Sequence, residues 1–270
     1  MSFSKFSLLF IFFLLFGCSS FEPQRKYLTV RFEIISEIPI NFTPVKCLYS
    51  FSAKTVFAWQ QDTDEIHIYR DGKKNNTIGG IGFEQLNFTR LSDIALAPDG
   101  SLLTLDSFEK IIKKFDSQGK FIAAIDLADF SAPALFSVAS DETFFIYDSD
   151  RNEIRNFART NEYDAFSFGR FQLSAPSNLQ LAGNRLLVNE SSLSKTLIFN
   201  TFGQLEEELP GIFQIERNCK FQLFPNYLTA MNGNFAVSPD KWQSFLQMDG
   251  YTVLASRTKI VVGKFIYEVR

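Results

Sequence analysis

The chain has 270 residues, a net charge of −3 and a pI near 5.4, and no stretch carries the Lys/Arg clustering of a nucleic-acid binder. It is rich in Phe (32) and poor in Met, Trp and His, which argues against a helix bundle and for pleated aromatic surfaces. With one His and two Cys beyond Cys18, no zinc set of ordinary spacing can be assembled.

The first elements form an address rather than a fold. Lys5 supplies one positive charge, and Phe6 to Phe16 is apolar except for Ser7. That run is too short to span a bilayer, which takes roughly 20 helical residues. It reads as a secretory signal over residues 1–17. Residues 18–26 then read as a polar tether, and 27–270 as one all-β domain.

Leu15-Phe16-Gly17-Cys18 resembles the bacterial lipobox. The resemblance implies acylation of Cys18 and a membrane partner, and Ser19, in place of aspartate, points to the outer membrane. Several acyl chains on one cysteine would hold durably, since each buried methylene contributes about 0.8 kcal/mol. The alternative is an ordinary cleaved signal with a chance cysteine.

Downstream, Thr55 to Trp59 and Ile66 to Tyr69 alternate as paired strands. Asp62, Asp64 and Glu65 form an acidic hairpin tip, and His67 reads as a structural or surface residue. A Gly-rich connection is expected over residues 75–87. It is no phosphate loop, because no Lys-Ser/Thr follows it.

Next comes the clearest unit. Ile94 and Leu96 alternate, Pro98-Asp99-Gly100 makes a turn, Leu103 and Leu105 resume, and a strand through Lys113-Lys114-Phe115 leads to a hairpin at Asp116 to Gly119. The Lys73-Lys74 and Lys113-Lys114 pairs are expected on solvated turns or strand ends. A 42-residue step carries Phe115 to Phe157 to Phe199, and Asp106 to Asp148 to Glu190. It also carries Ser107 to Ser149 to Ser191, and Gly119 to Asn161 to Gly203. A repeat of that length is one four-stranded propeller blade, with each Phe expected to pack on the next blade.

Beyond Phe199 the repeat stretches. A long link is expected from Leu209 to Pro225. A fifth blade then starts at Tyr227, with Trp242 to Leu246 as its third strand and Phe245 in the Phe slot. Residues 251–254 and 259–269 are expected to give three strands of a sixth blade. The alternating segment 27–34 supplies its fourth, closing the ring between the chain ends. Closure removes exposed edges. Five or seven blades are the alternatives. Cys47 and Cys219 read as two separate buried thiols, with a disulfide as the alternative.

Residues 88–121 resemble the NHL repeat family of six-bladed propellers: apolar-Ala-apolar, a Pro-Asp-Gly turn, a strand ending in Asp and another near Phe-Asp. Propeller function sits on loops around the rigid ring. Candidate channel-mouth residues are Asp93, Asn178 and Asn226, near the starts of innermost strands. Asp106, Asp148 and Glu190 end strands and are expected to make turn hydrogen bonds.

No catalytic residue and no metal ligand is assigned. The expectation is a non-catalytic binding or scaffold lipoprotein without a cofactor, its partners envelope proteins or an extracellular polymer. The alternative is an enzyme similar to the six-bladed lactonases and lyases, with a divalent cation at the channel mouth.

Overall fold

The computed structural model describes residues 27–82, 84–158, 166–216, 219–223, 227–230, 233–236, 242, 244–248 and 250–269. Strand β1 (Tyr27–Pro39) is set aside for the closing blade. Blade 1 is β2 (Pro44–Ser50), β3 (Thr55–Gln60), β4 (Glu65–Arg70) and β5 (Lys73–Gly79). Blade 2 is β6 (Leu91–Leu96), β7 (Leu102–Asp106), β8 (Ile111–Phe115) and β9 (Phe121–Asp126). Blade 3 is β10 (Pro133–Val138), β11 (Thr143–Asp148), β12 (Glu153–Ala158) and β13 (Ser167–Phe168). Blade 4 is β14 (Asn178–Ala182), β15 (Arg185–Glu190), β16 (Lys195–Asn200) and β17 (Leu205–Pro210). Blade 5 is β18 (Gln214–Glu216), β19 (Cys219–Leu223), β20 (Tyr227–Ala230) and β21 (Gly233–Ala236). Blade 6 holds β22 (Ser244–Met248), β23 (Tyr251–Ala255) and β24 (Lys259–Val269). β1 joins β24 as its outermost strand, so the protein is a six-bladed propeller closed between its two ends.

Each blade is an antiparallel meander, and the first strands of successive blades adjoin around the ring. Side chains stitch these inner strands together. Lys46 of blade 1 pairs with Asp93 of blade 2 at 2.8 Å, and Asp93 accepts the Phe136 N–H of blade 3 at 3.0 Å. Ser137 Oγ accepts the Leu181 N–H of blade 4 at 3.0 Å. Gln180 accepts the Ile215 N–H of blade 5 at 3.2 Å and donates to the Gln247 carbonyl of blade 6 at 2.7 Å. Gln247 donates to Glu216, and the Cys47 N–H returns the circuit to Ser244 Oγ. Adjacent blades share no backbone ladder, so these bonds satisfy polar groups that burial would otherwise leave orphaned.

The repeated phenylalanines occupy matched third-strand positions, Phe115 facing Leu102, Phe157 facing Phe144 and Phe199 facing Leu186. They pack on the preceding blade, not the next. Phe115 shares a cluster with Phe57, Ile66 and Ile68 of blade 1, Phe157 with Leu103 and Leu105 of blade 2, and Phe199 with Phe145 and Ile154 of blade 3. Phe88 and Phe130 in the connections and Phe168 on β13 meet these rings at centroid distances of 6.3, 6.1 and 5.3 Å. Repeat glycines serve the same seam. A Cβ on Gly119 would lie 2.7 Å from Ile68 and Ile78, and one on Gly203 would lie 2.6 Å from Phe168, both at positive φ.

Further expectations from the sequence need correction. The stretch expected as a link after Leu209 contains the end of β17 and the strands β18 and β19. Phe245 lies on β22, an inner strand of blade 6, so it does not fill the Phe slot of blade 5. Residues 251–255 and 259–269 form two strands rather than three, because β24 runs unbroken through Gly263 against a long β1. The start of the expected Gly-rich connection is β5, with Lys73 and Lys74 at its exposed end as expected, whereas Lys113 is buried within β8, its ammonium donating to the Asn87 carbonyl at 2.7 Å. Cys47 and Cys219 are two separate buried thiols.

Candidate functional site at the channel mouth

Inner strands begin at one end of the ring, and there they enclose a cavity of about 400 Å³. Its wall comes from Lys46 on β2, Ser92 and Asp93 on β6, Asn178 on β14, Gln214 on β18 and Ser244 to Leu246 on β22, with Trp242 beside them. A second, smaller cavity of about 60 Å³ is lined by Leu48, Ile94, Phe136, Leu181 and Met248 together with Lys46, Ser137 and Gln180. The volume of the mouth falls within the range of small-ligand sites.

Among the described residues Asp93 is the carboxylate of this wall, and it is 2% exposed. It accepts from Lys46, from Phe136 N–H and from its own neighbour Ile94 N–H at 2.8 Å. Ion pairing and backbone donors occupy both oxygens, so Asp93 acts as a strut between three blades. Asn178 shares the wall with it, whereas Asn226 lies outside the described residues.

Gln214 and Trp242 were not singled out in the sequence. Gln214 is 4% exposed, and its Oε1 has no hydrogen-bond partner; the indole Nε1 of Trp242 is also buried without one. A Gln opening an apolar strand was the available signal, but β18 has only three residues and lies in what read as a link. A divalent cation fits this wall poorly, since its carboxylate is already neutralised by Lys46. Among the described residues no three His, Cys, Asp or Glu side chains gather as a metal set.

The repeated acids sit elsewhere, at the ends of second strands. Asp106 accepts the N–H groups of Thr89 (2.6 Å), Arg90, Phe108 and Glu109. Asp148 accepts those of Ser131 (2.7 Å) and Ala132, and Glu190 those of Ser174 (2.5 Å) and Ala175. Each carboxylate fastens the chain arriving from the previous blade. The repeated Ser107 and Ser149 bond the same segments through the carbonyls of Arg90 and Ala132. Burial raises the Tyr147 pKa, and nearby Glu190 and Asp148 raise it further.

His67 is buried on β4, between Thr77 Oγ1 at Nδ1 (3.1 Å) and Gln60 Oε1 at Nε2 (2.8 Å). Burial lowers its pKa, Lys74 adds to this, and Glu65 opposes it. A neutral ring satisfies both partners, accepting from the threonine and donating to the amide oxygen.

No protein-family model and no curated protein matches the sequence. Solved structures do match the fold. Streptogramin B lyase superposes with a TM-score of 0.57 at 12% identity, over 87% of this chain and 98% of the lyase. A catalytically inactive virginiamycin B lyase from Staphylococcus aureus, solved with quinupristin, gives 0.56 at 14% identity over 87% and 100%. Raptor from Chaetomium thermophilum gives 0.60 at 10% identity, over 90% of this chain but 29% of Raptor. At these identities the similarity shows a shared fold and nothing finer.

Proposed function

We propose that the protein is a lipid-anchored envelope propeller that binds its ligand at the channel mouth without transforming it. One observation carries this reading: the carboxylate of the mouth is locked as an interblade strut. A general acid or base needs a proton-accepting atom free to face substrate. The lyase variant above lost catalysis through a histidine-to-alanine change. In this chain the sole histidine, His67, sits two strands out from the channel, held on both nitrogens.

Anchoring would come from Cys18 after removal of residues 1–17, placing the ring at the outer membrane on the tether 18–26. There the partners would be envelope proteins or an extracellular polymer, not nucleic acid. Confinement to a surface raises effective concentration, so weak contacts at the mouth suffice.

Two measurements test this. Radiolabelled palmitate should enter the wild-type chain and not Cys18→Ala, and membrane pull-down with the lipidated protein should retain a partner. Metal-dependent lactone hydrolysis by the purified protein would overturn the reading in favour of a lactonase-like or lyase-like propeller.

A further inference from the structure

We propose that the mouth takes a neutral, polyhydroxylated ligand, a saccharide; this rests on the binding reading above. The starting point is a pair of orphaned buried atoms, an acceptor on Gln214 and a donor on Trp242, in two side chains that line the mouth. Buried polar atoms in folded proteins almost always find partners, and an unpaired one is costly. Here both lie on side chains that line one cavity, where a bound molecule can reach the wall. The occupant must supply a donor and an acceptor together. A hydroxyl is both in one group, and a sugar ring carries several hydroxyls on neighbouring carbons.

Charge points the same way. Lys46 and Asp93 neutralise each other, and among the described residues of the wall no other side chain is charged. Other groups facing the mouth include the amide of Asn178 and the hydroxyl of Ser244, which also donate and accept without charge. The indole of Trp242 adds an apolar face beside its N–H, suited to the C–H face of a sugar ring. An uncharged peptide fits less well, because its backbone donors and acceptors alternate sides along an extended chain.

The test uses the detergent-solubilised full chain on an array of neutral glycans and, in parallel, on an array of uncharged peptides, with calorimetry on the best glycan. Glycans should be retained. Gln214→Met and Trp242→Phe, which remove the orphaned atoms and keep shape, should each weaken the affinity about tenfold without lowering the melting temperature. The inference is overturned if no glycan binds, if peptides alone are retained, or if the variants bind the glycan as tightly as wild type. Retention of peptides alone would leave the binding reading standing; lactone turnover would overturn that reading instead.

Discussion

Blades 2 to 4 and blade 5 solve one packing problem in different ways. In blades 2 to 4 the second strand ends in Asp106, Asp148 or Glu190, and each carboxylate grips the incoming chain through backbone N–H groups. In blade 5 the second strand ends in Leu223, and its inner strand is reduced to Gln214–Glu216. Gln180 of blade 4 therefore reaches past β18 to the Gln247 carbonyl of blade 6. Among the described residues of blades 2 to 4 one buried side-chain oxygen lacks a hydrogen bond, Glu190 Oε2, and the Lys195 ammonium stands 3.4 Å from it. The irregular blade and its neighbour Trp242 leave two buried polar atoms unsatisfied at the channel mouth. On the proposed reading the regular blades are the scaffold and blade 5 is where a ligand acts.

That contrast can be broken by substitution, and the largest effect belongs to the regular blades. Phe199→Ala should cost about 3–5 kcal/mol, read by denaturant unfolding, because a fully buried ring at the seam with blade 3 is lost. Asp148→Ala should follow at about 3 kcal/mol, since the Ser131 and Ala132 N–H groups lose a charged acceptor. Gly203→Ala should cost about 1–3 kcal/mol, as its new methyl meets Phe168 at positive φ.

A smaller effect sharpens the view of blade 1, where Gln60 stands at the strand end and bonds His67 instead of gripping a connection. The folded-state pKa of His67 is lowered, chiefly by burial, so below the ordinary histidine range the unfolded chain binds more protons. Stability should be full above about pH 6.5 and decline as pH falls through that range. His67→Gln should flatten this part of the melting-temperature profile between pH 7 and 5.

The fold was legible where physics repeats itself. Phe115, Phe157 and Phe199 fall at one spacing because each fills the same seam, and Asp106, Asp148 and Glu190 because each grips the same kind of connection. The direction of packing was not legible, since a period carries no information about which neighbour a ring touches. Blade 5 was misread because a three-residue inner strand leaves no alternation to detect. At the mouth, Asp93 and Asn178 were found by their place near strand starts. Lys46, Gln214 and Trp242 were not, because their roles depend on contacts across blades far apart in sequence.

The most direct test sets the thermal unfolding of Gln214→Met beside that of Asp148→Ala in the same buffer. If the mouth is a ligand site carried by a scaffold that its repeated carboxylates hold, Asp148→Ala lowers the melting temperature by roughly 6–12 °C while Gln214→Met leaves it unchanged or raises it. Equal losses in the two variants would contradict the account, because Gln214 would then be holding the ring together rather than waiting for a ligand.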